Sequence, residues 1–411
     1  MDKLPQKIAI QPRLFSIEEP PKPKGPALLA YGFRPFFILA CLWSMLAMGM
    51  WLMILYGPLN STESLPSSWW HGHEMLFGFV AAAASGFLLT AVTNWTQSQP
   101  LRGIPLLSLA LLWSAGRLLM WWTPPEAFFW LASVIDLSFL LALAGIITLP
   151  VVRTRMYHQG VFPALILLLW FANLLFHLEW LGITQETAVV GMRLGINSMV
   201  WLIVVFGGRM LPAFTQNAFA NLDHKPQIRT WPLIETLAHG SLVAVCIGDI
   251  LFLDYWATGL VFILTACIHA IRLAGWKPMQ TIRHPIVWVL HLGYAWIVIG
   301  FLLRALAVLT DWMMPSTAFH AITVGGFGVL ILGIMTRVTL AHTGRPLQLD
   351  ITTSSLFLLM ALNVPLRLGF VPFDYGWAVS LSGVVWVLVF LIFSLKFLPF
   401  LVRPRVDGRP G

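Results

Sequence analysis

Apolar side chains run through this chain in stretches of about 20 residues separated by short polar breaks, the length at which a helix crosses a hydrocarbon core about 30 Å thick. Twelve windows qualify: 35–56, 72–95, 104–122, 127–149, 161–181, 187–211, 233–253, 256–275, 285–309, 317–341, 353–371 and 376–401. The third and fourth windows nearly fuse, as do the seventh and eighth. The pattern predicts an all-α protein, a polytopic transmembrane helical bundle of about 12 spans. Residues 31–402 make one bundle, with tails at 1–30 and 403–411.

Composition sharpens that reading. The chain is 58% hydrophobic and 10% charged, against about 25% charged residues in a soluble domain. Lysine and arginine fall at alternate span ends (Arg102, Arg153, Arg155, Lys225, Arg229, Lys277, Arg283, Arg345, Arg403), whereas the intervening loops hold acids such as Glu63, Glu126, Glu186, Asp254, Asp311 and Asp374. The positive-inside rule then puts both termini in the cytoplasm. The net charge of +8 reflects this asymmetry and carries no nucleic-acid function. Charges and prolines, as in EEPPKPKG, occupy the first 30 residues where a signal peptide would be apolar, so a flexible cytoplasmic tail is expected. Cys41, Cys246 and Cys267 lie in spans without CxxC or CxxCH, which excludes a disulfide framework and covalently attached haem.

Depth makes the polar residues informative, because a charge inside the bilayer costs about 2.5–3.5 kcal/mol on insertion scales and faces a site or a partner. Arg117, Arg193, Arg304 and Arg367 fall in the outer third of four spans; Glu74, Asp136, Glu179 and Asp249 lie at outer or middle depths. They predict either structural ion pairs or guanidinium sites for an anionic ligand edge such as haem propionates. Histidines group at two depths: His71, His73, His177 and His320 outside; His239, His269 and His291 inside, with His284 and His342 at span ends and His158 and His224 in loops. A single intramembrane histidine is ordinarily a packing residue. Seven in two groups point to metal or haem ligation by at least two, imidazole being a ligand for both haem iron and copper.

The stretch WWHGHEMLFGF at 69–79 concentrates these groups. Residues two apart on a helix point about 200° from each other, so His71 and His73 address different faces if both are helical, His71 with Glu74 and Met75, His73 with Phe77. A His, Glu and Met face suits copper, though capping or packing would explain it equally. An internal echo links His73, Gly86 and Thr96 to His320, Gly333 and Thr343 at the same spacings. It makes His73 the leading axial-ligand candidate and His320 its partner. The glycines of AAAASG and GGFG would admit either a neighbouring helix or a flat macrocycle.

YGFRPFF (31–37), WHGHEMLFGF (70–79), GFLLTAVTNWT (86–96), GGRMLPAFTQNA (207–218) and GIMTRVTLAHTGRPL (333–347) together resemble the NnrS family of bacterial membrane proteins. The resemblance implies an inner-membrane protein carrying non-covalent haem b and copper. It also implies a part in the response to nitric oxide, as ligand or substrate; whether the protein is an oxidoreductase with a quinol or redox protein as electron donor stays open. It places weight on His71, His73, Glu74, Arg209, His320, Arg337, His342 and Arg345. Arg209 and Arg337 are candidates for an inner propionate site; Arg345 reads as a positive-inside residue. Twelve spans with histidines also suggest haem-copper oxidases, but the chain lacks their adjacent histidine pair and HPE-type motif. Two other readings stay open: a transporter with a buried arginine and acid site, and a haem electron-transfer or quinol-oxidising protein without nitric oxide chemistry.

Overall fold

The computed structural model describes residues 25–57, 66–121, 128–219, 227–252, 255–369 and 373–409. Glu63, Glu126, His224, Lys225, Asp254 and most of the N-terminal tail lie outside the described residues. Twelve helical segments among those described are long and apolar enough to cross a membrane, and none of the described residues forms a strand. They are α1 (Phe33–Tyr56), α2 (Ser67–Thr96), α3 (Ile104–Trp121), α4 (Phe129–Arg153), α5 (Tyr157–Trp180), α6 (Thr187–Ala218), α7 (Pro232–Leu251), α8 (Trp256–Gly275), α9 (Pro285–Leu309), α10 (Pro315–His342), α11 (Ile351–Gly369) and α12 (Tyr375–Val402). Each coincides with a hydropathy window. The largest departures are at the start of α2, which reaches back to Ser67, and the end of α6, which continues through Pro212 to Ala218.

Consecutive helices pack side by side, and α12 returns to pack against α1. Arg34 fixes that closure: buried at the start of α1, it donates to the carbonyl oxygens of Leu401 at 2.7 Å and Arg403 at 2.8 Å, satisfying acceptors that the end of α12 leaves unpaired. Three helices are enclosed by the others. In α2, α10 and α6, 78, 72 and 67% of the apolar window is buried, against 28–44% in most of the rest. They stand four apart in the chain, and each enters from the face opposite the Lys- and Arg-rich one.

Two of the three share a backbone irregularity that hydropathy does not encode. α2 widens into a π-helical stretch at Glu74–Val80 and α10 does so at Ala321–Gly328. Each begins at the residue after an echo histidine, His73 or His320. π-Turns of this kind are rare and concentrate at functional sites. The glycines admit helices: a Cβ on Gly86 would strike Phe37 of α1, and one on Gly325 would strike Trp296 of α9.

Candidate functional site

Because both histidines at the start of α2 are helical, they leave it in different directions. His71 faces a cavity of about 400 Å³ bounded by α1, α2, α6, α10, α11 and α12, and its ring stacks on Trp51 with centroids 4.7 Å apart. His320 lines the same cavity from α10. The histidine that shares a cavity with His320 is therefore His71 and not His73, a correction to the pairing that the echo suggested. The spacing identified equivalent positions on two helices, but not which neighbour each side chain meets.

The His320 ring is oriented. Its Nδ1 lies 2.6 Å from the carbonyl oxygen of Ser316 one turn earlier, so Nδ1 carries the proton and donates it, leaving Nε2 with the lone pair that a metal requires. Arg193 and Arg367 line the cavity from α6 and α11, Met75 and Met192 line it too, and no carboxylate is among the described lining. Arg367 Nη1 and His71 Nδ1 are buried without a hydrogen-bond partner among the described residues, a state that costs about 1–3 kcal/mol for each such atom. This donor set fits haem: imidazole nitrogens for the iron and guanidinium groups for the carboxylate edge.

His73 turns the other way, into a fully buried polar group contributed by four helices. Its Nδ1 lies 2.9 Å from Glu74 Oε1, its Nε2 3.0 Å from Asn173 Oδ1 and 3.4 Å from Asp136 Oδ2. His177 Nε2 donates to Asp136 Oδ2 at 2.9 Å, and Asn173 donates to the same oxygen at 2.8 Å. Arg117 bridges the two acids, donating to Glu74 at 2.8 Å and pairing with Asp136. Glu74 thus belongs with His73, while Met75 joins His71 on the cavity.

Ligand atoms of His73, Asp136 and His177 all lie within 4.8 Å of one another, and among the described residues this is the one group of three or more that could hold a metal ion. Two imidazoles and a carboxylate suit a first-row transition metal or zinc. Glu74 on the far nitrogen of His73 is the orienting carboxylate that such ligands carry. Two acids face one guanidinium here, so the group accommodates one further positive charge.

The remaining candidates are dispersed. Arg304 of α9 is committed to Asp249 of α7, with Asn197 of α6 beside them, so with Arg117 it realises the ion-pair reading. Glu179 caps α6 by accepting from the Ala188 N–H at 2.6 Å. His239 accepts from Trp201 at 3.2 Å, and His291 lies 2.9 Å from the Thr215 hydroxyl. His269 meets the Tyr294 hydroxyl at 2.6 Å, which Arg272 also contacts while paired with Glu235. Among the described residues, the inner histidines do not form a group of three ligating side chains. His342 ends α10 near Tyr31 and Phe33. Arg209 donates to Gln159 at 2.7 Å, and Arg337 lies over the Phe214 ring at 3.6 Å, both toward the Lys- and Arg-rich face.

Asp136 as a shared acceptor, Asn173 and the stacking Trp51 went unnoticed in the sequence. The i,i+4 spacing of Asn173 and His177, which puts both on one face of α5, is the signal that could have drawn attention to Asn173.

No curated protein matches the chain. The family profile described as NnrS protein matches residues 27–405, all twelve helices included. This chain belongs to the NnrS family.

Proposed function

We propose that the protein is a bacterial inner-membrane haem protein, with a second metal at the His73 group, that binds or turns over nitric oxide and so limits nitrosative damage. The observation that carries this reading is the cavity lined together by His71, His320, Arg193 and Arg367. The positive-inside rule puts the Lys- and Arg-rich face in the cytoplasm, and the cavity then opens toward the outer side. Bound haem b would supply an iron that takes up the gas, and copper is the proposed occupant of the neighbouring group. His71 and His320 are the imidazoles that would hold the haem, and the Ser316 carbonyl holds His320 in its ligating tautomer. Arg193 and Arg367 neutralise the propionates. His73, Asp136 and His177 hold the second metal, and Glu74 and Arg117 orient them. A quinol or redox protein supplies electrons if nitric oxide is turned over.

Absorption spectra of the detergent-solubilised protein, oxidised and reduced, with iron and copper determined on the same sample, test this reading. A Soret band with stoichiometric iron is expected, lost in His71→Ala and in His320→Ala and kept in His158→Ala. A colourless wild type after expression with ample haem would overturn it and make Arg193 and Arg367 a transport site.

A further inference from the structure

A second cavity, of about 70 Å³, lies between α2, α6 and α10 near mid-membrane. Its described lining is apolar throughout, Ala83 from α2, Met199 and Leu202 from α6 and Leu330 from α10 among them. Val80 and Phe327 line both this cavity and the 400 Å³ one, so the two adjoin. The three helices around it are the most enclosed in the molecule, yet they leave the void where a leucine in place of Ala83 would fill it.

Physical chemistry narrows what such a void holds. A bound water needs two to four polar partners, and this lining offers none from its side chains. Helical backbone groups at that depth are already paired along their own helices. Organic ligands and cofactors take cavities of about 300–1,000 Å³. What remains is a small apolar molecule, which gains dispersion contacts with the apolar lining and reaches the spot from lipid without desolvation cost. We propose that this cavity is a binding site for a small apolar gas, from which the neighbouring His71 and His320 cavity is supplied. Its identification with nitric oxide rests on the haem reading above; the gas site itself does not.

Xenon is the probe, since dry apolar cavities take it up. Crystals of the full-length protein under xenon pressure should show anomalous density bounded by Ala83, Met199 and Leu330, absent in Ala83→Leu. In stopped-flow mixing with nitric oxide, Ala83→Leu and the alternative filling variant Leu330→Phe should capture the gas severalfold more slowly at unchanged haem content. No xenon density in the wild type, or undiminished capture rates in both filled variants, would overturn the proposal. Xenon bound in a protein that proves to lack haem would support the gas site while sinking the haem reading.

Discussion

At the scale of single residues, the first turns of α2 divide two chemistries between histidines two positions apart. His71 goes to a cationic cavity and His73 to a group of acids, because 200° of helix separates them. Removing Asp136 therefore acts on one centre and not the other. Asp136→Asn should lower the bound copper or zinc while leaving the iron content near wild type, as metal analysis of purified protein would read. Asp136→Ala leaves Arg117 paired with Glu74 but takes the buried acceptor from Asn173 and His177, which should cost about 1–3 kcal/mol for each group left unpaired, visible as a depressed thermal midpoint. That the outer histidines matter was legible from their type and depth. Their partners were not, because Asp136, Asn173 and His177 come from helices dozens of residues away, and a sequence without tertiary contacts cannot say which carboxylate a given imidazole meets.

Whole helices were legible almost to the residue, since a run of about 20 apolar side chains has one stable solution in lipid, a helix that pairs its own backbone. The π stretches were not. They depend on which side chains must face inward, and nothing in hydropathy records one extra residue in a turn. Excising one residue from 321–328 of α10 should return it to α geometry and swing the preceding turns by about 100°. His320 would leave the cavity, so haem content should collapse in a protein that still inserts and purifies.

A smaller device joins α11 to α12. Asp350 accepts from the Thr353 N–H at 3.0 Å and from its hydroxyl at 2.7 Å, and pairs with Lys396. The Lys396 ammonium and the Thr353 hydroxyl hold its carboxyl down to about 2. A lowered carboxyl stabilises the fold above its unfolded value near about 4 and loses that contribution as pH falls through its folded value. Asp350→Asn should melt below wild type at neutral pH, with the two midpoints converging between about pH 4 and pH 2.

For the molecule as a whole, the three enclosed helices, four apart in the chain, bring the cavity and the void together. α2 and α10 carry the cavity histidines, α6 brings Arg193, and the apolar void lies where the three meet. Orientation is testable with single cysteines in a background lacking Cys41, Cys246 and Cys267. A membrane-impermeant maleimide applied to intact spheroplasts should label Trp312→Cys and spare Lys277→Cys; the reverse pattern would invert the protein in the membrane.

Arg34 has a consequence in time. The carbonyls that receive it, at residues 401 and 403, are made after every intervening helix, so these two hydrogen bonds form only once the twelfth helix has been translated. Closure of the first helix on the twelfth therefore comes late in synthesis. A chain cut short before residue 400 should be recognised by membrane proteases, with the first helix as its exposed defect.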